Sequence, residues 1–175
     1  MCGVKTMNNV NKTLYIPLYG KACVSKKGII QQDAKAEEIW AAEGFGLKGK
    51  SKSKWLTYYM GMRSAVFDRW LKQRMDDMPE ATVLHLGCGM DSRICRVGER
   101  NHLWYDVDFS EVIDQRKRYY TENEHYHMLA ANVTEDDFLA QVDGKFAIVV
   151  MEGISMYLNP QQLQDLMARL CDRFE

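Results

Sequence analysis

The chain has 175 residues, 46% hydrophobic and 27% charged, the make-up of an ordinary globular domain rather than a disordered or fibrous segment. Its 23 lysines and arginines balance 24 aspartates and glutamates for a formal net charge of -1, which argues against a dedicated nucleic-acid binder. No apolar run approaches the ~18 residues of a membrane span, and Met1 to Lys12 contains no apolar signal-peptide core, so the expected location is the cytoplasm.

In chain order, residues 1–31 are mixed, and Tyr15-Ile16-Pro17-Leu18-Tyr19 reads as irregular or extended around its proline. Asp33 can cap a helix running through Ala36, Ile39 and Trp40, with Gly44 a natural stop. Gly46 to Lys54 is a basic, glycine- and serine-rich loop that reads first as a solvated loop and only second as an anion attractor. From Trp55 to Met75 a long helical pattern follows, with Leu56, Tyr59, Met62/Arg63, Val66 and Trp70 at helical spacing, ended by Asp76-Asp77-Met78-Pro79. Beyond Pro79 the texture changes. Apolar, β-rich runs at 81–86, 102–108, 126–130 and 145–151 alternate with helix-compatible segments around 92–99, 110–122, 134–141 and 160–174. That alternation predicts an α/β fold with βαβ units and a parallel sheet, covered on both faces because the strands are nearly continuously apolar. The division expected is an N-terminal helical cap over 1–79 and a partial Rossmann-like domain over 80–175.

The five cysteines (Cys2, Cys23, Cys88, Cys95, Cys171) form no C-x-x-C pair, so reduced thiols are expected. His125 and His127 would share one face of a strand, but they lack a third ligand, and no metal site is expected.

Chemistry concentrates where the first strand meets Gly87-Cys88-Gly89. Glycines in such a turn let the backbone approach a ligand closely. The third glycine of the dinucleotide fingerprint is missing, since position 92 is Ser92. This disfavours a diphosphate resting on the turn, hence NAD or FAD, and suits a nucleoside cofactor without phosphate such as S-adenosylmethionine. Asp108 ends the second strand close to the ~20-residue spacing at which an acid meets a ribose. Two alternatives stay open: Asp108 merely caps the helix near Ser110, or Asp106, on the same strand face, is the ribose acid. Glu152 follows the fourth strand, where ligands of open α/β sheets bind, and a carboxylate there sits sensibly beside a sulfonium.

Three blocks carry a resemblance. His85 to Arg93, Tyr105 to Asp108 with Val112-Ile113-Asp114 and Arg116-Lys117, and Glu152 to Pro160 stand in order and at compatible spacing. They resemble the leucine carboxyl methyltransferase family, which includes the O-methyltransferases of polyketide synthesis. Leu18 to Ala22, Asp33 to Ala36 and Tyr58 to Arg63 are similar to its N-terminal part. The resemblance implies a class I, Rossmann-like methyltransferase with S-adenosylmethionine as cofactor. It implies further that Arg63 and Lys21 pair with the cofactor's carboxylate, that Gly87 packs under it beside Gly89, and that Asp108 holds the ribose. Asn132-Val133 would stand beside the adenine, where the family often has Asp-Leu, and Glu152 near the amino-acid end. Tyr157 is a candidate to position the methyl acceptor; no catalytic base is named, His125 and His127 being the only histidines placed near a strand's C-terminal half.

The family's sheet has seven strands in the order 3-2-1-4-5-7-6, whereas four are predicted here. The chain is therefore expected to be truncated after the fourth strand and its helix, as a fragment of a longer protein. The apolar edge at Phe146 to Val150 would then be open to self-association. The function expected is S-adenosylmethionine-dependent O-methyl transfer to a carboxylate or hydroxyl oxygen of a small molecule, with no nucleic-acid or membrane partner. The alternative is a catalytically incomplete cofactor-binding or interaction module that needs more chain or a partner.

Overall fold

The computed structural model describes residues 14–43, 53–135 and 137–175, so positions 46–52 of the basic loop lie outside the described residues. The chain forms two compact units: Met1–Val66 with Met90–Arg96, and Phe67–Gly89 with Val97–Glu175. No helix among the described residues is long and apolar enough to cross a membrane.

The first unit is helical. Its first helix, α1 (Tyr15–Lys26), contains Pro17 in the opening turn. The expected irregular segment is thus corrected: a first-turn residue needs no intrahelical N–H donor, and the fixed φ of proline suits that position. A Schellman turn closes α1, with Gly28 N–H donating to Ser25 O and Ile29 N–H to Val24 O. Asp33 caps α2 (Ala34–Glu43), its Oδ1 accepting from Ala36 N–H at 2.9 Å. Tyr19 of α1 packs on Trp40 of α2, ring centroids 4.9 Å apart.

Helix α3 (Lys54–Asp77) begins in the first unit and ends in the second. The apolar residues whose spacing announces this helix are not its buried face: Tyr59, Met62, Val66 and Trp70 are all exposed. The buried stripe is Thr57, Gly61, Ser64, Asp68, Leu71 and Met75. Small side chains are needed at its start because α1 comes close. A Cβ on Gly61 would lie 2.8 Å from Val24 Cγ2, and Ser64 Oγ accepts from Arg96 Nη2.

The second unit holds a four-stranded parallel sheet in the order β3-β2-β1-β4, built from β1 (Thr82–Leu86), β2 (Trp104–Asp108), β3 (Tyr126–Ala130) and β4 (Ala147–Val150). Every residue of β1 and β2 is buried, as befits the central strands of a sheet covered on both faces. Among the described residues β4 pairs with β1 alone. Short helices α4 (Arg93–Val97) and α5 (Ser110–Arg116) follow β1 and β2, and the segment near 134–141 is a 3₁₀ turn (Asp137–Gln141) rather than a full helix. A further 3₁₀ turn, Ser155–Tyr157, leads into α6 (Pro160–Arg173), which starts with Pro160 and a reciprocal capping box between Asn159 and Gln162.

Strand alternation divides the sheet into two unlike faces. Leu84, Leu86, Tyr105 and Val107 join Phe138, Leu139, Leu166 and Leu170 in an apolar core. On the other face stand His85, Trp104, Asp106 and Asp108. There, Asp106 Oδ1 accepts from Trp104 Nε1 and lies 3.0 Å from His85 Nδ1, while Oδ2 accepts from Tyr126 Oη at 2.7 Å and from Arg116 Nη2. Asp106 and Arg116 are both fully buried. Burial alone would raise the Asp106 carboxyl, but the Arg116 charge, with the His85 and Trp104 hydrogen bonds, outweighs it and holds Asp106 well below the usual carboxylate range.

Replacing Asp106 by Asn strands a buried guanidinium, and breaking such a pair costs about 3–5 kcal/mol. Urea unfolding at neutral pH should show that loss. Because the folded pKa is depressed, the stabilisation is present above the ordinary carboxylate range and disappears as pH falls toward the lower folded value. The gap between wild type and Asp106→Asn should therefore narrow below about pH 4; a gap constant with pH would contradict an ionised Asp106.

Candidate active site

Parallel pairing brings the carboxyl ends of all four strands to one edge of the second unit, and this places Asp108 at the last position of β2 and Gly87, Gly89, Asn132, Val133 and Glu152 in the loops that follow the strands. The turn after β1 is held to β2 by Gly87 N–H and Cys88 N–H, both donating to Val107 O. Gly87 and Gly89 have φ of +64° and +52°, a region L side chains rarely occupy. A Cβ on Gly87 would also stand 2.7 Å from Ile154 Cδ1.

Asp108 closes the turn from the other side. Its Oδ2 accepts from Gly89 N–H at 2.7 Å and its Oδ1 from Phe109 N–H at 2.8 Å. Helix α5 has Phe109 as its N-cap and no side-chain cap, so Asp108 is not the cap that the sequence left open. Nor is Asp106 equivalent to it, since that carboxylate is spent on Arg116, Tyr126, Trp104 and His85. Burial raises the Asp108 carboxyl above its ordinary range, and the two backbone donors from Gly89 and Phe109 only partly oppose it. Each oxygen takes one of these bonds and keeps a further lone pair.

The remaining candidates divide. Asn132 builds its own turn: Oδ1 accepts from Thr134 N–H and Oγ1–H, and Nδ2 donates to Glu135 Oε1. Two bonds are the full complement of a carboxamide oxygen. Val133 packs into the apolar core. Glu152 is half-buried between β4 and the Ser155–Tyr157 turn, and Tyr157 is exposed. His125 immediately precedes β3 and His127 is its second residue. Both therefore stand at the amino end of that strand, which corrects their expected place. His127 lies against Tyr105, ring centroids 5.0 Å apart.

Lys21 and Arg63 belong to the first unit. Lys21 is buried and pairs with Asp91 at 3.0 Å, and the Arg63 guanidinium lies 5.9 Å from the Tyr59 ring centroid. Ser92, at the third-glycine position, is fully buried and donates to both Asp33 oxygens, while Arg96 Nη1 donates to Asp33 Oδ2 at 2.7 Å.

Sequence reading missed Arg116 and Asp91. Arg116 Nη1 donates to Gly89 O at 2.8 Å, so one end of the glycine turn hangs from α5. A signal existed: an aspartate within a buried strand demands a cation nearby, and Arg116 is carried by the helix that follows. Asp91, the partner of Lys21, stands two residues beyond Gly89 in the motif itself. Among the described residues no group of histidine, cysteine, aspartate and glutamate side chains could hold a metal.

A family model described as leucine carboxyl methyltransferase matches residues 8–171. The chain is 30% identical to the tetracenomycin polyketide synthesis O-methyltransferase TcmP of Streptomyces glaucescens, over 94% of this chain and 62% of that protein. It is 26% identical to the S-adenosyl-L-methionine-dependent methyltransferase dpfgK of Gibberella zeae, over 98% of this chain and 64% of that protein. The chain thus spans a little under two thirds of the length of these relatives.

Gly87→Ala combines a left-handed backbone with the Ile154 contact, and should cost about 1–3 kcal/mol in urea unfolding. Ile154→Ala removes the Cδ1 and Cγ1 contacts but keeps Cβ at 3.1 Å, so measured against the Ile154→Ala chain the cost of Gly87→Ala should be smaller but not zero. A Gly87→Ala chain as stable as wild type would show that the turn does not need its glycine.

Proposed function

The chain belongs to the leucine carboxyl methyltransferase family, and from that premise we propose that it binds S-adenosylmethionine at the carboxyl edge of its sheet and serves methyl transfer to an oxygen of a small molecule. The observation that carries this reading is the Asp108 carboxylate, buried, held by two backbone N–H groups and still short of donors. Two vicinal ribose hydroxyls would supply one donor to each oxygen. The fit is chemical as well as positional, because an ionised carboxylate held this way gains more from added donors than a solvated one does.

The bound cofactor would supply an activated methyl on a sulfonium. The work left to the protein is to hold and align, which is where most of such catalysis arises. Asp108 fixes the nucleoside end. Lys21 and Arg63 are retained as proposals for the carboxylate end, on chemistry alone: guanidinium binds carboxylate bidentately, and Lys21 would share its charge with Asp91. Glu152 offers a carboxylate for an ammonium or the sulfonium. A carboxylate acceptor, with a pKa near ~4, is ionised at neutral pH and needs no base, which accords with two histidines placed at the amino end of β3. The O-methyltransferase name of the Streptomyces relative supports an oxygen acceptor, and Tyr157, exposed beyond β4, is the residue proposed to meet it.

Calorimetric titration with S-adenosylhomocysteine and, separately, NADH tests the reading. Binding of the homocysteine analogue, weakened about 10- to 100-fold in Asp108→Ala, is expected, with none to NADH. Binding of NADH alone would overturn it. Affinity should also fall as Asp108 is protonated, at a pH above the ordinary carboxylate range, because only the ionised form accepts from both hydroxyls. Unchanged affinity through that window would remove Asp108 from the contact.

A further inference from the structure

Glycine is the residue least able to hold its own backbone in place, yet Gly89 must present its N–H to Asp108. In this chain its conformation is set from outside. The N–H is taken by Asp108 Oδ2 at 2.7 Å and the carbonyl by Arg116 Nη1 at 2.8 Å. Groups on either side of one Cα are thereby fixed, which settles both dihedrals of a residue standing at φ +52°. Arg116 cannot swing away: it is fully buried, its Nη2 donates to Asp106 and to Tyr126 Oη, and its guanidinium covers the Tyr120 ring at 4.3 Å.

We propose that Arg116 is a positioning residue for cofactor binding, acting through the Gly89 peptide to aim the Asp108 carboxylate. The inference rests on the reading of Asp108 as the ribose acceptor. Two acceptors in different directions, Gly89 O and Asp106, call for a fork with two separate nitrogens, which arginine has and lysine lacks. Asp106 and Tyr126 act one step further back, by holding the fork still. A charge pair whose whole purpose was cohesion would have no need to reach a glycine carbonyl in the ligand-binding turn. An apolar pair of like volume would stabilise the sheet as well.

The test is a double-mutant cycle on S-adenosylhomocysteine affinity, read by calorimetry, with thermal unfolding recorded for each chain. Arg116→Lys and Asp108→Asn should each weaken binding about tenfold, and the double variant should bind no more weakly than Asp108→Asn alone. Losses that multiply, or an Arg116→Lys chain that binds like wild type, overturn the proposal, since a merely cohesive arginine would act independently of Asp108. Should Arg116→Lys fail to fold, Tyr126→Phe replaces it in the cycle. That variant keeps the ion pair, loses the Tyr126 hydroxyl's bonds to Asp106 and from Arg116 Nη2, and should show a smaller loss with the same lack of additivity. In ligand-free chain the Gly89 amide resonance should follow the Asp108 titration and lose that dependence in Arg116→Lys; an amide unaffected by the substitution overturns the proposal. No binding by the wild-type chain sinks the ribose reading itself, and with it the role given to Arg116.

Discussion

The second unit depends on a buried ion pair, Asp106 with Arg116. Taking two charges out of water costs several kcal/mol for each, and attraction repays that only when the other hydrogen-bonding positions are filled. Here they are. Asp106 meets Trp104, His85, Tyr126 and Arg116, so β1, β2, β3 and α5 all send a side chain to one carboxylate. A network saturated in this way makes alternative registers costly, because a slip of one residue would bury Asp106 without partners and turn it to the other face. The apolar face of the sheet tolerates substitution of like size far better. The face that holds Asp106 therefore carries much of the specificity, and the buried Val83, Ile148 and Val150 on the same face add to the cohesion.

The first unit uses the same device on a smaller scale. Asp33 caps α2 through Ala36 N–H and also receives Ser92 Oγ and Arg96 Nη1. Arg96 reaches on to Ser64 of α3 and to Asp91, and Asp91 receives Lys21 of α1. Each unit thus has a buried aspartate as hub. The two hubs act on adjoining parts of one segment, since the chain passes from the second unit to the first between Gly89 and Met90. Before that point the segment is tied by Arg116 and Asp108, after it by Asp33 and Arg96.

Much of this was legible in the sequence, for identifiable reasons. The strands fell within a few residues of their places because continuous apolar runs between turn signals have few other readings. Asp108 was separable from the helix-capping alternative only by structure, and from Asp106 only by partners, because residues two apart on a strand share a face. Pro17 misled because its effect depends on whether it stands in the first turn, a matter of where the helix begins. The buried stripe of α3 was hidden because its first half is threonine, glycine and serine, selected for close approach and hydrogen bonding rather than for apolarity. Arg116 stays hidden in the sequence because a charged residue late in a helix reads by default as solvated.

The absence of a third glycine takes on a physical meaning from these contacts. In the dinucleotide fingerprint that position is small so that helix and strand pack closely behind a diphosphate. Here it is Ser92, fully buried, with its hydroxyl spent on Asp33. The carboxylate that receives it is also the cap of α2 and the partner of Arg96, so the serine joins a hydrogen-bonded cluster of the first unit. The same serine that breaks the fingerprint thus serves the fold of the first unit, where it supplies Asp33 with a hydroxyl donor.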